Sequence, residues 1–318
     1  MTGTVIVLAL LLIFSFYIKE KEKRSTTSYV SEKILRLREK RIEMFSPEYS
    51  VDLLKKLAVK NEQEYRIPKL PMMRCNVEKR DIHGVTSIVF TPKKDKSSYT
   101  VFYLHGGAYV EHASVIHFMF IDSLFGELPL KVVMPLYPKA PVHSVTEVFP
   151  KMTDMYRKLK AESDGKFILM GDSAGASLAV SVAQALGGDE QPKEIISISP
   201  WLDIGLCDER IADVEKADPM LNSSHLRVMG RAWAKDVDLK DFRVSPLYGP
   251  IEHLAPVTLF AGTHELFLID ARTFYDRCID AGVDIMYIEK EKMNHDFPLF
   301  PVKEGKEAVK IIASVIQR

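Results

Sequence analysis

The sequence predicts an α/β fold built on one mostly parallel, two-sided sheet, and three observations carry that expectation. Two alternating stretches, 76–82 and 85–91, flank His83-Gly84, which is a β-hairpin signal. From about residue 100 onward, short apolar strands alternate with helix-like stretches, the pattern of parallel strands joined by right-handed crossovers. One of those strands, Lys166-Phe167-Ile168-Leu169-Met170, runs directly into Gly171-Asp172-Ser173-Ala174-Gly175, and a small-residue helical stretch runs out of it.

Eight strands are expected in all, at 76–82, 85–91, 100–104, 131–134, 166–170, 195–198, 257–260 and 285–288. Helices are expected near 115–124, 147–161, 174–183, 270–281 and 303–316. The segment 201–246 breaks the alternation. It is polar, carries its own helical pattern at 223–234, and reads as an insertion covering the sheet edge. Asn222-Ser223-Ser224 ahead of that pattern reads as a turn.

The chain has 318 residues, enough for a substantial core, and its 43 basic and 43 acidic side chains balance. No global field would draw nucleic acid or an acidic partner. Cys75, Cys207 and Cys278 form no C-x-x-C pair, and His264-Glu265 lacks the second histidine of a zinc helix. Neither a disulfide framework nor a metal is expected.

Residues 2–18 carry no charged side chain, and 5–14 is an unbroken apolar run. As a helix this stretch would span roughly 26 Å, slightly short of an average hydrocarbon core. It has no basic start and no small-residue cleavage pattern. Residues 1–18 are therefore expected to be a single-pass membrane anchor rather than a cleaved signal. Lys19, Lys21, Lys23 and Arg24 follow the run and nothing basic precedes it, which would place the bulk of the protein on the cytoplasmic side. Residues 19–28 read as a polar tether. Helices follow within 29–71, one with Val30, Ile34 and Leu37 on a face, the next with Leu53, Leu54 and Leu57 together. Residues 72–318 form the α/β domain.

The chemistry centres on Ser173. A serine hydroxyl needs a base, a group to orient the base, and donors for the oxyanion that forms in acyl transfer. His105-Gly106-Gly107-Ala108 follows an early strand, so the amides of Gly106 and Gly107, with that of Ala174 after the serine, are the expected oxyanion donors. His295 lies beyond the last strand and is the only histidine after position 264. Glu265 follows the penultimate strand and is the expected acid. Asp270 and Asp296 are its rivals.

In order, His105-Gly106-Gly107-Ala108, Gly171-Asp172-Ser173-Ala174-Gly175, Ser199-Pro200-Trp201-Leu202-Asp203, Gly262-Thr263-His264-Glu265 and Asn294-His295-Asp296-Phe297-Pro298 resemble the hormone-sensitive-lipase-like carboxylesterases of the α/β-hydrolase fold. Pro138-Lys139-Ala140-Pro141 resembles a further stretch of that family. The resemblance spans roughly 70–318. It implies a Ser173, His295, Glu265 triad, amide donors at Gly106, Gly107 and Ala174, and a helical cap made from the amino-terminal helices and the insertion. The chain departs from the family at Ala108, where a third glycine is usual, and at Glu265, where aspartate is usual. The function expected is that of a serine carboxylesterase acting on small-molecule esters of short to medium acyl chains, with no cofactor. A lipase or amidase of the same fold, or a non-catalytic small-molecule receptor, are the competing readings. The oligomeric state is not legible in the sequence.

Overall fold

The computed structural model describes residues 13–318 apart from 40–45, 71–72, 95, 98 and 164–165. Its centre is an eight-stranded sheet in the order β1-β2-β4-β3-β5-β6-β7-β8. The strands are β1 (Cys75–Ile82), β2 (Val85–Pro92), β3 (Tyr99–Leu104), β4 (Leu130–Pro135), β5 (Phe167–Asp172), β6 (Glu194–Ile198), β7 (Val257–His264) and β8 (Ile285–Asn294). β1, β2 and β4 pair antiparallel, and every later pair is parallel.

Side chains alternate across a strand, so each strand of a two-sided sheet feeds both cores. In β3, Val101 and Tyr103 face one core while Phe102 and Leu104 face the other, and all four are fully buried. The first core is closed by helices at Val115–Leu124 and Lys303–Gln317. The second is closed by Val145–Ala161, Ser173–Gln184 and Leu268–Asp280.

Ahead of the sheet lie α1 (Thr26–Glu39) and α2 (Pro47–Asn61). The insertion carries a helix at Ser223–Ala234 whose start is capped by Asn222, its side chain accepting from the His225 amide at 3.1 Å. The Asn-Ser-Ser stretch is thus the helix cap itself. α2 reaches this helix. The Ser50 hydroxyl lies 2.8 Å from His225 Nδ1, and Leu54 and Leu57 sink into the second core.

The membrane expectation needs correction. Among the described residues, no helix is long and apolar enough to cross a membrane. Residues 1–12 of the expected anchor lie outside the described residues. Its described end is helical over 13–22, where Lys19, Glu20, Lys21 and Glu22 end the apolar run. That end meets α1: Phe14 sits edge-on to Tyr29 at 6.1 Å, and the Thr26 hydroxyl donates to Ser15 Oγ at 2.9 Å. The single-pass anchor and the cytoplasmic-facing placement built on it are therefore not carried forward. The stretch read as a tether also has firm attachments. Ser25 donates through its amide and hydroxyl to Glu304 at 2.6 and 2.7 Å, and Arg24 donates to the Lys292 carbonyl at 2.7 Å.

Candidate active site

Strand register alone collects the candidate residues at one sheet edge, the carboxyl edge where parallel sheets place their sites. Leu104 pairs with Gly171, so His105 and Asp172 emerge as neighbours. Asp172 pairs with Ile198, so Ser173 and Ser199 emerge together. His264 pairs with Asn294, so Glu265 and His295 leave the sheet side by side.

Ser173 opens the helix Ser173–Gln184 with φ at 52°, the left-handed backbone of a sharp strand-to-helix turn. The glycines around it are steric requirements. A Cβ at Gly175 would lie 2.0 Å from the Leu104 carbonyl oxygen, and one at Gly171 would lie 2.6 Å from the Gly175 backbone. Neither can be relieved by a side-chain rotation, because both obstacles are main chain.

His295 Nε2 stands 3.0 Å from Ser173 Oγ. Its other nitrogen, Nδ1, faces Glu265 Oε2 at 3.5 Å, and both side chains are almost completely buried. Glu265 Oε2 also accepts from the Ser199 hydroxyl at 2.7 Å. Ser199 Oγ in turn accepts the Asp296 amide at 3.0 Å, so one serine joins the Glu265 carboxylate to the loop carrying His295. Asp296, one of the rivals for the acid, has its Oδ2 3.1 Å from His295 Nε2, on the side of Ser173 rather than opposite it. Asp270, the other rival, lies in the helix Leu268–Asp280, where burial and then Asp203 and Asp208 push its carboxyl up to about 8.

Burial disfavours a charged His295, but the Asp296 and Glu265 carboxylates beside it outweigh that and hold its pKa well above the ordinary imidazole value. Burial opposes ionisation of Asp172 as well, yet His117, the Tyr103 hydroxyl and the Gly106 amide keep that carboxyl below its usual range.

The Asp172 contacts revise the expected donor set. The Gly106 amide donates to Asp172 Oδ2 at 3.0 Å, which occupies it. The amides of Gly107 and Ala108 donate to no other group among the described residues. Gly107 has φ at 116°, and a Cβ there would lie 2.8 Å from the Glu111 carbonyl oxygen. Ala108 holds φ at 51°. An alanine in this region costs about 1 kcal/mol relative to glycine, so its place in the loop is enforced from outside.

That enforcement is visible. His105 Nδ1 lies 2.6 Å from the Gly106 carbonyl, while its Nε2 lies 3.1 Å from the buried Lys139 amine. Tyr137 stacks on the His105 ring at 4.9 Å and donates to the His105 carbonyl at 2.7 Å. The Gly106 carbonyl and the Gly107 N–H share one planar peptide, so fixing the first aims the second. Tyr109, next in the loop, stacks on Trp233 at 4.4 Å, and Trp201 stacks on Phe267, whose ring meets His295 edge-on at 5.1 Å. Each such ring pair contributes about 0.5–1.5 kcal/mol beyond its buried area.

The insertion is pinned to the acid loop by Asp218. Its carboxylate accepts the amides of Met220 at 2.7 Å, Leu221 at 2.9 Å and Leu266 at 2.7 Å. Above Ser173 lies a cavity of about 360 Å³, walled on its apolar side by Leu35, Met220, Leu221, Leu226, Leu299 and Phe300. A larger groove of about 620 Å³ is lined mainly by charged residues near the amino terminus, among them Lys19, Glu20 and Lys303, and does not include Ser173. Among the described residues, no group of three or more His, Cys, Asp or Glu side chains is placed to hold a metal ion.

Sequence reasoning did not assign roles to Ser199, Asp172, Asp218 or Ala108. Ser199 and Asp172 sit inside stretches already singled out, Ser199-Pro200-Trp201 and Gly171-Asp172-Ser173, so a signal for them existed.

Comparison with known proteins agrees with the fold. A family model described as the α/β hydrolase fold matches residues 101–299. An esterase of Acinetobacter venetianus is 28% identical over 220 residues, covering 67% of this chain and 73% of that protein. An acetyl-hydrolase of Streptomyces hygroscopicus is 29% identical over 231 residues, covering 69% and 75%. A crystal structure from Staphylococcus aureus superposes with a TM-score of 0.81 at 28% identity, covering 86% of this chain and 94% of that one. With the family model spanning well over half its length, the chain belongs to the α/β-hydrolase fold family.

Proposed function

We propose that this protein is a serine carboxylesterase of small-molecule esters. The observation that carries the reading is the 3.0 Å approach of His295 Nε2 to Ser173 Oγ on the floor of the 360 Å³ cavity. In this mechanism Ser173 Oγ attacks the ester carbonyl carbon and His295 Nε2 takes the hydroxyl proton. His295 then gives that proton to the departing alkoxide, leaving an acyl group on Ser173. Water, deprotonated by the same nitrogen, cleaves the acyl-enzyme and restores the serine.

Glu265 faces the nitrogen opposite the nucleophile, the position from which a carboxylate holds the tautomer and stabilises the imidazolium. At 3.5 Å it is within ion-pair reach of the imidazole, and such contacts tighten as charge develops. For the oxyanion we assign the amides of Gly107, Ala108 and Ala174. Ala108 takes the place expected for Gly106, whose amide is held by Asp172. Ala174 lies in the first turn of a 12-residue helix, so the positive end of that helix also faces the developing charge.

Cavity size supports short to medium acyl chains. At about 30 Å³ per water-sized group, 360 Å³ takes on the order of a dozen non-hydrogen atoms, acyl and alcohol parts together. The similarity to an acetyl-hydrolase points the same way. Across p-nitrophenyl esters from acetate to laurate, kcat/KM is expected to peak between the two- and six-carbon acyl groups and to fall at least tenfold by twelve carbons. A maximum at twelve carbons, or a rise in rate on emulsified triacylglycerol, would instead assign a lipase.

A further inference from the structure

The proton count around His295 is unusual. Its Nε2 has one bonding direction, yet Ser173 Oγ lies 3.0 Å from it and Asp296 Oδ2 lies 3.1 Å from it. With Nδ1 carrying the proton that faces Glu265, a neutral Nε2 and an ionised Asp296 would oppose two lone pairs. The pair is therefore at rest only with a shared proton, either on Nε2 or on Asp296. Catalysis needs Nε2 free to accept from Ser173. In the competent state Asp296 is then an uncompensated carboxylate beside the nitrogen that must protonate the leaving group.

The surroundings of Asp296 sharpen this. Its Oδ1 is buried without a hydrogen-bond partner among the described residues. Asp172 and Glu265 are the other carboxylates facing it, and Asp218 faces His295. His117 and the Tyr103 hydroxyl also face it, but both are already engaged by Asp172. Glu111 lines the same cavity with no ion-pair partner among the described residues, and no lysine or arginine lines it there. The cavity thus presents an excess of negative charge where the alcohol part of an ester must sit.

We propose that Asp296 is a specificity-determining residue: it selects esters of neutral or cationic alcohols and rejects esters whose leaving group carries an anion. This rests on the serine esterase reading. A unit charge about 6 Å from Asp296 at an effective dielectric constant near 20 is worth about 100-fold in rate. The same carboxylate holds the acid limb of the pH profile above the ordinary imidazole range, since activity requires neutral His295. Burial, against the opposing pull of His295, raises the Asp296 carboxyl itself to about 6.

The test compares 4-acetoxybenzoate, its neutral methyl ester and 3-acetoxy-N,N,N-trimethylanilinium with the full chain and with Asp296→Asn. Asparagine tolerates the left-handed backbone found here, φ 55°, so the loop is kept. The ratio of kcat/KM for neutral over anionic ester is expected to fall by about 10- to 100-fold in the variant, intrinsic reactivity cancelling between enzymes. The preference for the cationic ester is expected to shrink, and the acid limb to move to lower pH. In the unaltered chain, discrimination against the anionic ester is expected to weaken as pH falls toward 6, which needs no variant. Ratios and acid limb unchanged by Asp296→Asn, with Ser173→Ala inactive, would overturn the role of Asp296 and leave the esterase reading standing. Full ester hydrolysis by Ser173→Ala would remove the esterase reading and this inference with it.

Discussion

Ser173→Ala should lower kcat for p-nitrophenyl butyrate by about 10⁵- to 10⁶-fold, with the melting transition shifted by no more than a few degrees. Loss of a nucleophilic serine removes the covalent route altogether. What survives is the 10³- to 10⁴-fold advantage over water that oxyanion donors and binding supply. The fold has little reason to respond. The hydroxyl of Ser173 hydrogen-bonds to His295 and to no other side chain among the described residues, and alanine adds no atom to the turn. Residual activity should therefore appear as a slow, burst-free rate, measured against a mock preparation carried through the same purification.

Glu265→Gln should cost about 10³- to 10⁴-fold in kcat, the scale of losing a triad carboxylate. Asp270→Asn and Asp296→Asn should each stay within about tenfold on a neutral ester at the pH optimum. The reason is positional. An orienting carboxylate acts on the nitrogen that does not meet the nucleophile, and among the described residues only Glu265 pairs with Nδ1. Asp296 faces Nε2, where a carboxylate competes with Ser173 and cannot hold the productive tautomer. Asp270 is buried in the field of Asp203 and Asp208 and has no hydrogen bond or ion pair to the imidazole among the described residues. Single-turnover kinetics on the three variants would settle the order, and a loss in Asp296→Asn as deep as in Glu265→Gln would reassign the acid.

The sheet was legible in the sequence because its strands are short, apolar and separated by clear punctuation. The helix Val115–Leu124 falls on the expected residues, and the hairpin around His83-Gly84 forms as its alternation implies. β8 was legible only in its first half. It runs to Asn294 through Glu289, Lys290, Glu291 and Lys292, an ionic stretch with no apolar alternation. Pairing with β7 holds Glu289 and Lys290 in the ladder, and an irregularity then brings Asn294 opposite His264, a tertiary effect that local pattern does not encode. That extension matters for the site, because the His264–Asn294 pairing is what sets Glu265 beside His295.

The oxyanion loop shows the other limit. Two glycines in a row announce close backbone approach, but which amide faces the substrate depends on a partner 66 residues away. Asp172 takes the Gly106 amide, and only the folded register of β3 against β5 brings them together. At the amino terminus, hydropathy spoke for an anchor. The described residues instead give a helical end lying against α1 through Phe14 and Tyr29.

The most direct measurement is the site of covalent labelling by a fluorophosphonate, mapped by peptide mass spectrometry on the full chain. An activated serine attacks phosphorus, expels fluoride and keeps the phosphonyl group, whereas an ordinary buried hydroxyl does not react. A single adduct on Ser173, abolished in His295→Ala, is the expected result. No adduct, or an adduct on another serine with Ser173 unmodified, would contradict it.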